Sequence, residues 1–340
     1  MADGANLAAS NNPLVDLNDI ASVNVNLVSS TAIDETEYTN VAAVNITNGV
    51  AGTTLTVNNA TLSTVYGATV AGRNYIETVS YAGTTGSADV AALSVANTGN
   101  STTDTIFNVA TGNTIEAVTL ATSGTNYVTV NGGTAAAKYT LSGNGTNDLT
   151  VGSAASTMTI DASATTGTNI INVGTLLSTT DSVIGGSGFD LLEANLTSAV
   201  QMIPTVTGVE ELELTFTAAA IFNASKVTGA TDLEITPVGA VNATVTNLNQ
   251  SVDHVYVGEH WNGTGAAITA TGAIAVGYAS GSNSDVTFDV GATATNSNPA
   301  VSIGNVTFTG NAGALHVHSI GDAANTVGSI TANTASELHV

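Results

Sequence analysis

The chain has 340 residues, with 26 acidic side chains against three basic ones (Arg73, Lys138 and Lys226), a formal net charge of −23 and no cysteine. That balance argues against nucleic acid and anionic lipid as partners, since both are held by cationic surfaces, and it rules out disulfide staples and thiol chemistry. A hydrophobic content of 43% is too high for a disordered acidic tail, while aromatics at only 4% suit thin, stacked strands better than a thick core.

Self-repulsion at this charge weakens a compact state unless cations neutralise it, and carboxylate and carbonyl oxygens favour calcium. No stretch approaches the roughly 20 apolar residues of a membrane helix, so no transmembrane segment is expected. The start, Met1-Ala2-Asp3-Gly4, shows no basic region followed by an apolar run, and no signal peptide is read there.

Residues 1–38 read as a leading arm or anchoring segment, with a loop-like stretch from Asn12 to Asp19 and an acidic turn at Asp34-Glu35-Thr36-Glu37. Residues 39–195 read as a repetitive β-solenoid-like region. Short runs of Val, Thr, Ile and Leu, parted by Gly, Asn and Ser, centre near Val118, Val128 to Val130, Tyr139 to Leu141, Leu149 to Val151, Met158 to Ile160, Ile170 to Val173 and Val183. Two such runs make a coil of about 20 residues, and the expected fold is an all-β stack of short strands. A phrase of the form aliphatic–Glu–x–aliphatic recurs at Ile76-Glu77-Thr78-Val79, Ile115-Glu116-Ala117-Val118 and Val209-Glu210-Glu211-Leu212-Glu213-Leu214, more loosely at Asp232-Leu233-Glu234-Ile235. On a single strand each Glu is expected to point away from its aliphatic neighbours, giving one buried face and one acidic face. Residues 196–340, where Pro204 and Pro237 interrupt a looser spacing, read as a second β-rich region.

The most specific motif is Gly185-Gly186-Ser187-Gly188-Phe189-Asp190-Leu191-Leu192-Glu193, which fits G-G-x-G-x-D-x-U-x, U being a large aliphatic residue, at every fixed position. Gly185, Gly186 and Gly188 would aim carbonyls inward and Asp190 would supply a charged calcium ligand. Asp181 precedes Asp190 by one motif length, so the two are expected one above the other on adjacent coils. Gly143-Asn144-Gly145-Thr146-Asn147-Asp148-Leu149 is a slipped version that makes Asp148 a third candidate.

The nonapeptide, with the Glu phrases on an acidic, Cys-free, Thr/Ala/Asn-rich background, resembles calcium-dependent RTX-type proteins and, more narrowly, RTX-type surface-layer (S-layer) proteins of Gram-negative bacteria. The resemblance implies a β-solenoid, type I secretion, attachment to cell-surface polysaccharide and calcium-driven lattice formation. A long tandem nonapeptide array is missing, which favours scattered, individually placed ions.

The patch from Asp253 to Trp261 holds His254, His260 and the single Trp, and His316 and His318 form a second pair. On a strand each pair shares a face, but neither has a standard zinc spacing, and a polar strand face or subunit contact is the expected role. Neither a G-x-S-x-G elbow between strand and helix nor a G-x-x-x-x-G-K loop occurs. The paired acids at Glu210, Glu211 and Glu213 lack the basic and aromatic company of a sugar-cleaving groove. No enzyme is expected. The expectation is an extracellular, calcium-binding, self-assembling cell-surface protein, with a singly displayed calcium-dependent adhesin as the alternative.

Overall fold

The computed structural model describes residues 4–8, 21–37, 40–84, 86–109, 115–258, 267–282, 284–291 and 300–340. Strands dominate it, and the described strands run parallel to their neighbours. Parallel strands cannot be joined by hairpins. Here each strand passes through a short turn to a second sheet and returns one coil later, which is a β-solenoid. Among the described residues no helix is long and apolar enough to cross a membrane.

Alternation builds each coil. In Ser22–Leu27, Val23, Val25 and Leu27 are buried while Ser22 and Asn26 are not. The buried positions then stack in register, as in Leu93–Leu120–Leu141 and Val23–Val44–Tyr66. Each such side chain contributes about 1.5–3 kcal/mol of burial, and each has a like neighbour above and below.

The chain divides into two compact units: Met1–Asn172 with Ile184–Phe189, and Val173–Val183 with Asp190–Val340. In the first, one sheet stacks Ser22–Leu27, Ala43–Gly49, Val65–Ala68, Val90–Ala96, Ala117–Ser123, Lys138–Gly143 and Thr159–Thr165. Its partner sheet stacks Thr31–Asp34, Thr54–Ala60, Ile76–Tyr81, Thr105–Asn108, Thr125–Asn131, Thr146–Ser153 and Asn169–Asn172. Residues 22–27 and 31–34 of the expected leading arm therefore already form coil strands. The loop expected from Asn12 to Asp19 lies outside the described residues.

Polar side chains also enter this interior, in rows. Asn126, Asn147 and Asn169 are all buried. Asn126 Nδ2 donates to Asn147 Oδ1 at 3.1 Å across 21 residues, and Asn147 Nδ2 to Asn169 Oδ1 at 2.8 Å across 22. Beside this row a glycine column lets successive coils approach. A Cβ at Gly167 would collide with the Gly145 carbonyl, and one at Gly188 with the Gly167 carbonyl.

Glu77 corrects the expectation that the repeated acids face outward. It points inward with Val79 and Tyr81 and is 0% exposed, opposite Ile76 and Thr78. Burial holds its carboxyl well above the usual carboxylate range.

In the second unit the main sheet stacks Asp190–Leu196, Glu211–Phe216, Asp232–Pro237, His254–Val257, Val286–Gly291, Leu315–Ile320 and Leu338–His339. Gln201–Met202, Ile221–Asn223, Ala243–Leu248, Ile274–Ser282 and Val301–Asn311 form a second sheet, which Ile268–Thr269 and Thr326–Ala332 extend.

Candidate functional site

The motif residues sit as follows. Gly186 is required by close packing, because a Cβ there would collide with Thr165 Oγ1 and with the carbonyls of Thr165 and Ala162. Asp190 heads the strand Asp190–Leu196 and is fully buried, and its N–H donates to Glu210 Oε2 at 2.8 Å. Asp181 closes a turn, its Oδ2 accepting from the Ser178 N–H at 2.7 Å. It precedes Ser182–Ile184, which belongs to a different sheet from Asp190–Leu196. The two aspartates are therefore half a coil apart and not stacked, since a full coil takes about 20 residues.

Asp148 lies in register between Tyr127 and Ile170. Burial, with repulsion from Asp104, raises its carboxyl to about 6. The side chain that turns inward at that corner is its neighbour Asn147, which donates to the Gly145 carbonyl at 3.1 Å.

The densest titratable constellation lies elsewhere, on the main sheet of the second unit. Two rows of side chains run up one face. The first reads Glu193, Glu213, Glu234, Tyr256, Asp289, His318; the second reads Leu191, Glu211, Asp232, His254, Thr287, His316, His339. Rows on one face arise because side chains two apart on a strand point the same way, and in-register parallel strands repeat that choice about every 4.8 Å. Leu212, Leu214, Leu233 and Ile235 take the opposite face and are buried. The acids, although turned away from those leucines, are also shielded from water: Glu211 is 5% exposed, Glu213 8% and Glu234 1%.

The two ends of these rows differ in charge. At the histidine end, His254 Nδ1 lies 3.0 Å from Asp232 Oδ1 and its Nε2 3.0 Å from Asp289 Oδ2, while His318 Nδ1 lies 3.0 Å from Asp289 Oδ1. The hydrogen bonds to Asp232 and Asp289 raise the His254 imidazole to about 10, against the opposing effect of burial. Burial alone would push Asp232 and Asp289 up; the bonds and charge of His254, joined by Thr231 at Asp232 and His318 at Asp289, outweigh it and hold both below the usual range. His254 is thus an imidazolium with both nitrogens engaged, and it has no lone pair to offer as a base or metal ligand. His316 stacks flat on His339, with centroids 4.8 Å apart.

At the glutamate end no basic residue lies on the strands. Glu211 Oε1 is buried with no hydrogen-bond partner. Burial, then the charges of Glu213, Asp232 and Glu234, raises its carboxyl to about 8. Rows of acceptors of this kind take up protons or hard cations. Among the described residues, no three His, Asp or Glu side chains converge on one point as they stand.

Sequence reasoning singled out His254, which shares a strand face with Tyr256, their ring centroids 5.1 Å apart. It missed the partners Asp232 and Asp289, which are 22 and 35 residues away. Glu259, His260 and Trp261, the rest of that patch, lie outside the described residues. Compared with known protein families, with characterised proteins and with solved structures, the chain finds no match in any of the three.

Proposed function

We propose that this chain is a structural, self-assembling protein of the bacterial cell surface, a subunit of an S-layer lattice or filament that calcium stiffens. The observation that carries the reading is the buried acidic row at Glu211, Glu213 and Glu234 in a chain of net charge −23, with no basic residue on the strands that bear it. Carboxylates gathered in this way repel, and a divalent ion relieves the repulsion and ties neighbouring coils together. The RTX-like nonapeptide from Gly185 to Glu193 supports the same chemistry from the sequence. Extracellular calcium modules work at about 10⁻⁴–10⁻³ M, so a chain of this kind is loose where calcium is scarce and rigid outside the cell, because metal binding and folding are linked. A regular stack of parallel coils is suited to load-bearing and to side-by-side packing of many copies.

The test is a calcium titration from a chelated start, followed by circular dichroism and light scattering. Thermal midpoint and particle size should rise together and fall again with chelator. A rise in midpoint with particles that stay monomeric transfers the protein to the adhesin class. A flat response in both sinks the reading.

A further inference from the structure

We infer that Glu211, Glu213 and Glu234 form a calcium site on the main sheet of the second unit, separate from the nonapeptide. The inference rests on the calcium reading above and assigns where the ion acts.

Three observations converge. Glu211 and Glu213 are two apart on Glu211–Phe216, and Glu234 pairs in register with Glu213 on the next coil, so one strand offers two carboxylates and its neighbour a third. All three side chains are more than nine-tenths buried. Independently of the clustering, Glu211 Oε1 is shut away from water with nothing to accept from, although its neighbours on this face are acids. A buried acceptor left in that condition costs about 1–3 kcal/mol and more when charged, and a cation at that atom removes the cost.

Asp232 belongs to the same face but is not one of the ligands. Its carboxylate is already engaged by His254 and by the Thr231 hydroxyl at 2.6 Å. The same sheet therefore shows the remedy in its next coils, where an imidazolium lies between Asp232 and Asp289. The glutamate end has the acids without the cation.

The chemistry selects the ion. Three carboxylates, of which Glu234 also accepts from the Thr236 hydroxyl at 3.1 Å, offer up to six oxygens, the lower end of the calcium range, at flexible distances of about 2.3–2.6 Å. Magnesium demands near-octahedral geometry and keeps its waters, which a water-poor sheet face does not supply. Zinc and copper favour imidazole or thiolate, and the nearby imidazole has both nitrogens occupied. Side-chain torsions of adjacent glutamates must turn to bring the oxygens together. Tyr256, in register with Glu234 on the following strand, places an aromatic ring beside the site.

Terbium(III), a calcium-sized ion whose emission is sensitised by a nearby tyrosine, is the direct probe, used on the full chain beside calcium itself. Tyrosine-sensitised emission should appear with terbium, be displaced by calcium and drop sharply in Tyr256→Phe, whose calcium affinity by titration calorimetry stays at the wild-type value. Glu211→Gln and Glu213→Gln should each weaken calcium binding by more than about tenfold, since ligand charge count sets affinity in such sites. Both variants keep the shape of the side chain, and the fold is checked by their circular dichroism. If calcium raises the thermal midpoint of wild type and both variants equally, with undiminished affinity, the ion sits elsewhere: this assignment falls and the functional reading stands. If wild type binds neither ion, both fall, and the row is held by shared protons.

Discussion

The asparagine row of the first unit and the acidic rows of the second rest on the same backbone, parallel strands about 4.8 Å apart with like residues in register. They differ in what one side chain can offer the next. An amide carries both donors and acceptors, so Asn126, Asn147 and Asn169 satisfy one another from coil to coil. An ionised carboxylate only accepts, so a row of them must import its donors. At Asp232 and Asp289 the import is an imidazolium; at Glu211 it comes from outside the chain. The comparison teaches that a stack of identical residues is self-sufficient only when the residue is its own complement.

Exchanging the chemistries should break the comparison most severely. Asn147→Asp puts an acceptor-only, buried charge between two amides and faces the Asn169 Oδ1 with a second oxygen. It should cost about 3–5 kcal/mol, read as a lower urea midpoint by circular dichroism. Next comes His254→Ala, which leaves Asp232 and Asp289 without their shared cation. Because the histidine is partly exposed, the loss should be nearer about 1–3 kcal/mol.

The same residue sets a pH signature. An imidazole raised from 6.5 to about 10 contributes stability that is complete below about 6.5 and lost as pH climbs through about 10. The thermal midpoint of wild type should therefore fall between pH 7 and 10 more steeply than that of His254→Ala. Glu211, raised from 4.5 to about 8, adds a fall of the same sign across that lower window. Measured in chelator, this component should vanish in Glu211→Gln.

That substitution also sharpens the comparison from the other side, because it gives the acidic row one amide. In chelator at pH 8 it should stabilise by about 1–2 kcal/mol, the reverse of the usual sign for a buried polar change. The smallest effect belongs to His318→Ala. Its side chain is 57% exposed, and losing one surface partner of Asp289 should change the melting behaviour by less than about 1 kcal/mol.

Much of the architecture was legible in the sequence. Alternating Val, Thr and Ile runs at half-coil spacing gave the coil length, and the glycine-rich corners gave the turns. The acidic phrases around Glu211 and Glu234 were legible too, but their meaning depends on register. Glu213 and Glu234 lie one coil apart, and only a known coil length turns a loose repeat into a row. Two readings failed for physical reasons, and one feature went unread. The step from Asp181 to Asp190 is half a coil, so it carries a residue to the other sheet instead of the next layer. Glu77 follows the inward phase of its strand, set by Val79 and Tyr81, and burial overrides the preference of an acid for water. The Asp232–His254–Asp289–His318 chain was invisible because coil lengths vary there, with partners 22, 35 and 29 residues apart.

The glycine column of the first unit bears on how such a chain can change length over generations. Gly167 and Gly188 each occupy the place where the carbonyl of the glycine one coil earlier leaves no space for a Cβ. A duplicated segment one coil long brings its own glycine to the same corner, and every layer above and below meets the neighbour it had before. An insertion of a fraction of a coil brings some other residue there, and its Cβ meets a carbonyl oxygen. The corner thus acts as a tally that accepts whole coils and rejects parts, so the heritable unit of growth is the turn rather than the residue.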